Sequence, residues 1–287
     1  MRTLLKVVAV ILLIVSFGCN ESAIRLTVNK DGSGRIIVQE FFSPQMLGML
    51  GSFEQMAEGI VEAMDVEEKP DTTRKSPEGL GIFDSMIQKQ AEKMGAGVKL
   101  VKKEKKKNEM GWEGFEATYE FEDINKIRVG VGGTEMEDAS TTMESKGEIA
   151  YTFKFKPGNT ATLEMIPQQE KPEASTEEKA EESEQEKVDD DMMMEMMAPM
   201  LKGFRMMFTV SVDGTIQDTN ANYRSQEQAN MITVVDLPFD KLLADAEIRK
   251  MMFATEDPNE AMSMLKDAGI TDVIFEPPDK TISIQFK

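Results

Sequence analysis

The chain has one cysteine in 287 residues, and it stands at position 19. A lone cysteine cannot close an internal disulfide, so any fold must be held by packing and hydrogen bonds. Its position is just as restrictive. Arg2 and Lys6 precede an apolar run from Val7 to Val15, and Ser16-Phe17-Gly18 leads into Cys19. A basic start, a short apolar run and a small residue before a cut site mark a secretory signal. The run falls short of the ~20 apolar residues that cross a bilayer. Residues 1–18 therefore read as a signal peptide to be removed.

The placement of Cys19 behind Gly18 resembles the lipobox of bacterial lipoproteins, in which the cysteine thiol is acylated before cleavage. Ser16 and Phe17 depart from that pattern, which usually carries Leu and a smaller residue there. The resemblance implies that Cys19 is the lipid-modified first residue of the mature chain. It also implies membrane attachment through that anchor and a place in the bacterial cell envelope. Asn20 follows, where the pattern puts Asp in proteins kept at the inner membrane. The outer membrane, on its periplasmic or surface face, is the expectation.

Charge and composition exclude several classes. The net charge is −19, and loss of Arg2 and Lys6 with the signal deepens it by two. Such a chain repels nucleic acid and anionic lipid at long range. Membrane contact is then expected from the anchor, and nucleic acid is not an expected partner. There is no histidine. That removes Ser-His-Asp and Cys-His catalysis, imidazole acid–base chemistry and most zinc sites. Acylation of Cys19 would remove the only thiol. No P-loop, G-x-S-x-G or dinucleotide fingerprint occurs. No catalytic residue and no cofactor is assigned.

Patterning divides the mature chain into an N-terminal part, 19–167, and a C-terminal part, 192–287, expected to form one unit. Ile24, Leu26 and Val28 alternate with polar residues, the period of a half-buried strand. Asp31-Gly32-Ser33-Gly34 supplies a turn, and Ile36 to Phe42 a second strand. Ser43-Pro44 starts a helix whose apolar face runs from Met46 to Met64. A second helix spans about Leu80 to Lys93 and ends at Gly95-Ala96-Gly97. Strands follow at Val98–Lys103 and Gly111–Phe121, separated by a basic loop. Val129–Gly147 reads as a loop, and Ile149–Lys156 with Thr160–Ile166 as a hairpin. Asp213-Gly214 signals a hairpin between Met206–Val212 and Thr215–Asn222. A strand at Met231–Asp236, helices at Phe239–Met252 and Asp257–Ala268, and a last hairpin, Val273–Phe275 with Thr281–Phe286, complete the chain. A helix, Gly, strand order appears at Met86–Val101 and again at Ala261–Phe275, a faint internal echo.

The segment 168–191 interrupts this pattern. From Glu170 to Asp191 it holds eleven acidic residues, three lysines and no aromatic. It buries too little apolar surface to offset its ordering entropy and reads as a long acidic disordered insertion.

Four motifs invite chemical readings. Asn29–Glu40 fits an EF-hand loop at Asn29, Asp31, Ser33 and Glu40, with Gly34 at the sixth place. An EF-hand needs flanking helices, whereas strand-like alternation precedes this loop. A hairpin is expected, with calcium at those four residues the lesser alternative. Met192, Met193, Met194, Met196, Met197, Met200, Met206 and Met207 suggest Cu(I) through thioethers. Their helical spacing favours packing instead. Lys102, Lys103, Lys105, Lys106 and Lys107 read as a solvated loop whose lysines discourage strand-to-strand association. The single tryptophan, Trp112, reads as a core anchor.

Taken together, the lipobox, the hairpin around Asp31–Gly34, Asp213-Gly214, Asn220, Asn222 and the strand Met231–Asp236 resemble the LppM-type class of bacterial lipoproteins. The resemblance covers about a quarter of the chain. It implies a small α+β lipoprotein domain with affinity for lipids and transfers no catalytic residue. The expected fold is α+β: antiparallel hairpins forming one or two sheets, with helices packed on one face. The expected function is a non-enzymatic, membrane-anchored envelope lipoprotein with a binding or scaffolding role toward an envelope protein or lipid. A carrier of an apolar ligand or lipid is the alternative, and a calcium- or copper-binding protein the third option.

Overall fold

The computed structural model describes residues 20–48, 83–131, 149–168, 203–239 and 273–287, with single residues at 242, 264 and 270. Cys19, the connector after the first helix, the acidic insertion, the Met-rich helix 192–203 up to residue 202 and most of the helices expected between 239 and 268 lie outside them.

β1 (Asn20–Val28) and β2 (Gly34–Phe42) form the opening antiparallel hairpin. Ile24, Leu26 and Val28 of β1 stand opposite Val38, Ile36 and Gly34, and their alternation buries one face. The turn closes on itself. The Asn29 N–H donates to the Ser33 carbonyl at 2.8 Å, and Asp31 Oδ1 accepts from Ser33 N–H at 2.9 Å and Ser33 Oγ at 2.6 Å. A helix begins at 44–48, where Ser43 Oγ caps the Met46 N–H at 3.2 Å as its position before Pro44 predicts. Helix α1 (Phe83–Lys93) ends before Gly95, whose φ of 110° only glycine adopts readily.

The remaining strands are β3 (Lys99–Lys107), β4 (Glu113–Phe121), β5 (Arg128–Val131), β6 (Ile149–Lys156), β7 (Ala161–Gln168), β8 (Arg205–Val212), β9 (Ile216–Thr219), β10 (Met231–Pro238), β11 (Ile274–Phe275) and β12 (Ile282–Phe286). They build two sheets: seven strands in the order β11-β10-β8-β1-β2-β4-β3, and five in the order β5-β6-β7-β12-β9. The β1–β8 pairing is parallel and joins the N-terminal and C-terminal parts in one sheet.

The α+β expectation is contradicted: the described residues are mostly β. Strands hold 55% of the described residues and helices 14%. Among the described residues, the apolar face of the larger sheet packs largely against the second sheet rather than against helices. Phe208 of β8 meets Tyr151 of β6 with ring centroids 5.6 Å apart. Residues of both sheets, among them Leu26, Val210, Phe153, Leu163 and Ile284, belong to one buried cluster. Helix α1 packs at the β2–β4–β3 end of the larger sheet.

Two expected hairpins are crossings between sheets. β8 lies in the larger sheet and β9 in the smaller, so Asp213-Gly214 carries the chain across rather than back. There the Asp213 N–H bonds to Val28 O at 2.9 Å and the Thr215 N–H to Lys287 O at 2.8 Å. A Cβ on Gly214 would lie 2.0 Å from Lys287 O, so glycine is required. The last pair divides likewise, β11 pairing with β10 and β12 with β7 and β9. Turn chemistry marks where a chain reverses, not which sheet receives it.

The basic segment is also not a loop. It forms edge strand β3, bulged between Leu100 and Lys102 and paired with β4 along its length. Its lysines pair with acidic neighbours: Lys105 and Lys107 with Glu113, Lys106 with Glu116, Lys103 with Asp84. Alternating charge of both signs, not apolar alternation, makes this strand, and an apolar-periodicity reading passes over it.

Candidate functional site

β1 begins at Asn20, immediately after Cys19 and earlier than the alternation from Ile24 suggested. The β3–β4 turn folds against this end of the sheet. Asn108 Nδ2 donates to Glu21 Oε2 at 2.7 Å. Asn108 Oδ1 accepts from the N–H groups of Met110 at 3.1 Å and Trp112 at 2.9 Å. Trp112 is half-buried beside Gly203, at the rim of the sheet rather than in the core.

The four calcium candidates are not brought together. Asn29, Asp31 and Ser33 share the turn, where the Ser33 hydroxyl and N–H hold the Asp31 carboxyl below its ordinary pKa. Glu40 lies six residues along β2 beyond Gly34, about 20 Å away at strand rise. Among the described residues, no group of three or more Asp, Glu, His or Cys is placed to hold a metal. Beside the turn lies an open groove of about 430 Å³ lined by Thr27, Asn29, Arg35, Lys99 and Glu120 among others. Its lining is mixed, Phe121 standing beside charged Arg35, Lys99, Glu120 and Glu122, and it is open to solvent rather than the enclosed apolar cavity an acyl chain fills.

Glu40 occupies a different environment. In the series Ile36, Val38, Glu40, Phe42 it takes an inward position, between Ser22 of β1 and Phe115 of β4. Phe83 of α1 stacks on Phe42 at 5.5 Å and tilts against Phe115 at 5.6 Å, which seats the helix over this carboxyl. Gln90 Nε2 then donates to Glu40 Oε1 at 2.5 Å. The Tyr119 hydroxyl donates to Ile87 O at 2.9 Å and lies 3.2 Å from Gln90 Oε1. Glu40 is 3% exposed, and its Oε2 has no hydrogen-bond partner among the described residues. Burial pushes its pKa up to about 7, against a smaller opposing effect of the Gln90 bond. Burial, with the Glu40 charge behind it, raises the Tyr119 pKa far above the usual phenol range. The signal for this site was legible: a carboxylate on the apolar face of a strand.

A second buried carboxylate is fully satisfied. Glu276 accepts from the Asn222 N–H, from Asn222 Nδ2 at 3.0 Å, from the Tyr223 N–H at 3.1 Å and from Lys280 Nζ at 3.0 Å. It ties the 222–223 segment to the β11–β12 connection. Tyr151 lies nearby with its hydroxyl buried and without a partner among the described residues, and burial, then the Glu276 charge, pushes it up to about 12. No sequence spacing announced this clamp, because its members come from segments 54 residues apart.

Chemically, both carboxylates are structural in setting. Glu276 is closed off at 0% exposure and spends its oxygens on four donors. Among the described residues, Glu40 adjoins apolar rings, an amide and a phenol, and its hydrogen-bond partner is Gln90.

No protein-family model matches the chain, and no curated protein sequence does. Among solved structures, the NMR structure of the folded domain of LppM from Mycobacterium tuberculosis aligns over 95% of this chain and 91% of that one. The identity is 11% and the TM-score 0.28, a weak likeness of fold that carries no argument about function.

Proposed function

We propose that the chain is a non-enzymatic lipoprotein of the bacterial cell envelope, anchored through a lipid on Cys19, that acts by binding or scaffolding. One observation supports this most: the folded sheet starts at residue 20, with no spacer after Cys19. An acylated Cys19 would therefore hold the protein against its membrane at one defined end. Asn20 favours the outer membrane. The absence of histidine and the structural setting of both buried carboxylates fit a role without turnover.

Metabolic labelling with radioactive palmitate tests the reading. The wild-type chain should take up label and sediment with membranes, and Cys19→Ser should do neither. Label retained in Cys19→Ser would overturn the anchor. Hydrolase or transferase turnover by the purified protein would overturn the non-enzymatic role.

A further inference from the structure

We infer that the β3–β4 turn, Asn108 to Trp112, is a second membrane contact that seats Met110 and Trp112 in the interfacial layer of a phospholipid bilayer. The inference rests on the anchor at Cys19. Two residue steps separate Cys19 from Glu21, a reach of at most about 7 Å. Glu21 is the residue that Asn108 holds at 2.7 Å. The anchor and the turn thus share one edge of the molecule.

The turn is built to present its side chains rigidly. The Asn108 side chain accepts from Met110 and Trp112 N–H, its backbone N–H donates to Trp112 O at 3.1 Å, and the Gly111 N–H returns to Asn108 O at 2.9 Å. Gly111 has φ 77°, which the closure needs. Met110 is 52% exposed, the most exposed large apolar side chain among the described residues. Trp112, the only tryptophan of the chain, sits beside it, and both lie against Gly203.

A single exposed apolar residue is ordinary on a protein surface. Here an exposed Met and a half-buried Trp share one closed turn beside the lipid attachment point. Tryptophan suits that depth because its ring is apolar and its N–H can meet water or headgroups. The lysines next to the turn do not make it an anionic-lipid site. Lys105 and Lys107 are both paired with Glu113. The contact is therefore with the apolar boundary of a zwitterionic leaflet.

Trp112 is its own reporter. Full-length acylated protein is reconstituted in phosphatidylcholine vesicles with and without bromine on the acyl chains, alongside Met110→Asp. Bromine should quench Trp112 emission severalfold in the wild type, with a blue shift. Met110→Asp should lose most of that quenching while keeping its palmitate label and unfolding midpoint. Labelled wild-type protein whose emission ignores bromine would overturn the second contact and leave the anchor standing. Quenching unchanged in Met110→Asp would also overturn it. An unlabelled Cys19 would overturn both.

Discussion

Replacing Glu40 with Gln should make the protein's stability less dependent on pH, in a direction opposite to the usual carboxylate. An ion-paired carboxylate has a depressed pKa and loses its contribution as acid is added. Glu40 is the reverse case, because its folded pKa is raised from 4.5 to about 7. Below pH 4.5 both folded and unfolded forms hold the proton, and the shift costs nothing. Between 4.5 and 7 the unfolded chain releases the proton while the folded one keeps it. Stability then falls by about 1.4 kcal/mol per pH unit. The whole window amounts to about 3 kcal/mol, lost by pH 8 and held below pH 4. The physical cause is burial: among the described residues only Gln90 donates a hydrogen bond to this carboxyl, so ionisation would bury a charge with little compensation.

Glutamine keeps the shape and an acceptor for Gln90 but cannot ionise. Urea unfolding followed by circular dichroism, from pH 4 to pH 8, measures the difference between wild type and Glu40→Gln. Subtracting the two curves cancels every other carboxylate. The difference should be near constant below pH 4.5 and should grow by about 3 kcal/mol in favour of the variant by pH 8. Parallel curves across that range would refute the argument, and so would a gap that widens toward acid.

Glu276→Ala should cost about 3–5 kcal/mol, because it leaves the Lys280 ammonium and two backbone N–H groups without their buried acceptor. Amide hydrogen exchange should show Asn222 and Tyr223 losing protection first, and uniform loss across the larger sheet would contradict the local role. Lys105→Ala with Lys107→Ala should leave the unfolding midpoint nearly unchanged, since both pairs with Glu113 are exposed and screened by solvent. The same double variant should self-associate in sedimentation velocity, because a nine-residue edge strand loses its charged guard. A monomeric double variant would count against that role for the lysines.

Much of the local structure was legible. Ile24, Leu26 and Val28 read as a strand because burial of one sheet face imposes a period of two. Ser43-Pro44 read as a helix start because a hydroxyl there satisfies an orphan N–H. The hairpin reading of Asn29–Glu40 holds for the turn, with Glu40 far along the strand. What misled was the step from turns to partners. Asp213-Gly214 and the 277–280 turn carry good turn residues, yet each passes the chain between sheets. Lys99–Lys107 forms a strand through cross-strand ion pairs that periodicity does not register. The usual burial of large aromatics points Trp112 to the core, and nothing local tells that its turn closes at the rim beside Glu21.

The sequence by itself determined the single cysteine and its position, the absence of imidazole chemistry, the acidic charge and the alternation that makes most of the strands. These are properties of composition and of neighbours within a few residues. Only the tertiary structure decided that, among the described residues, two sheets pack on one another around a shared core, since that depends on which apolar faces meet. It alone decided that Glu40 is sealed under α1 with one oxygen unpartnered, and that Asn108 ties a Met-Trp turn to the strand behind Cys19. Each joins residues about fifty or more positions apart, and the energies that matter there, desolvation of a carboxylate and coverage of an apolar ring, depend on surroundings the chain builds only by folding.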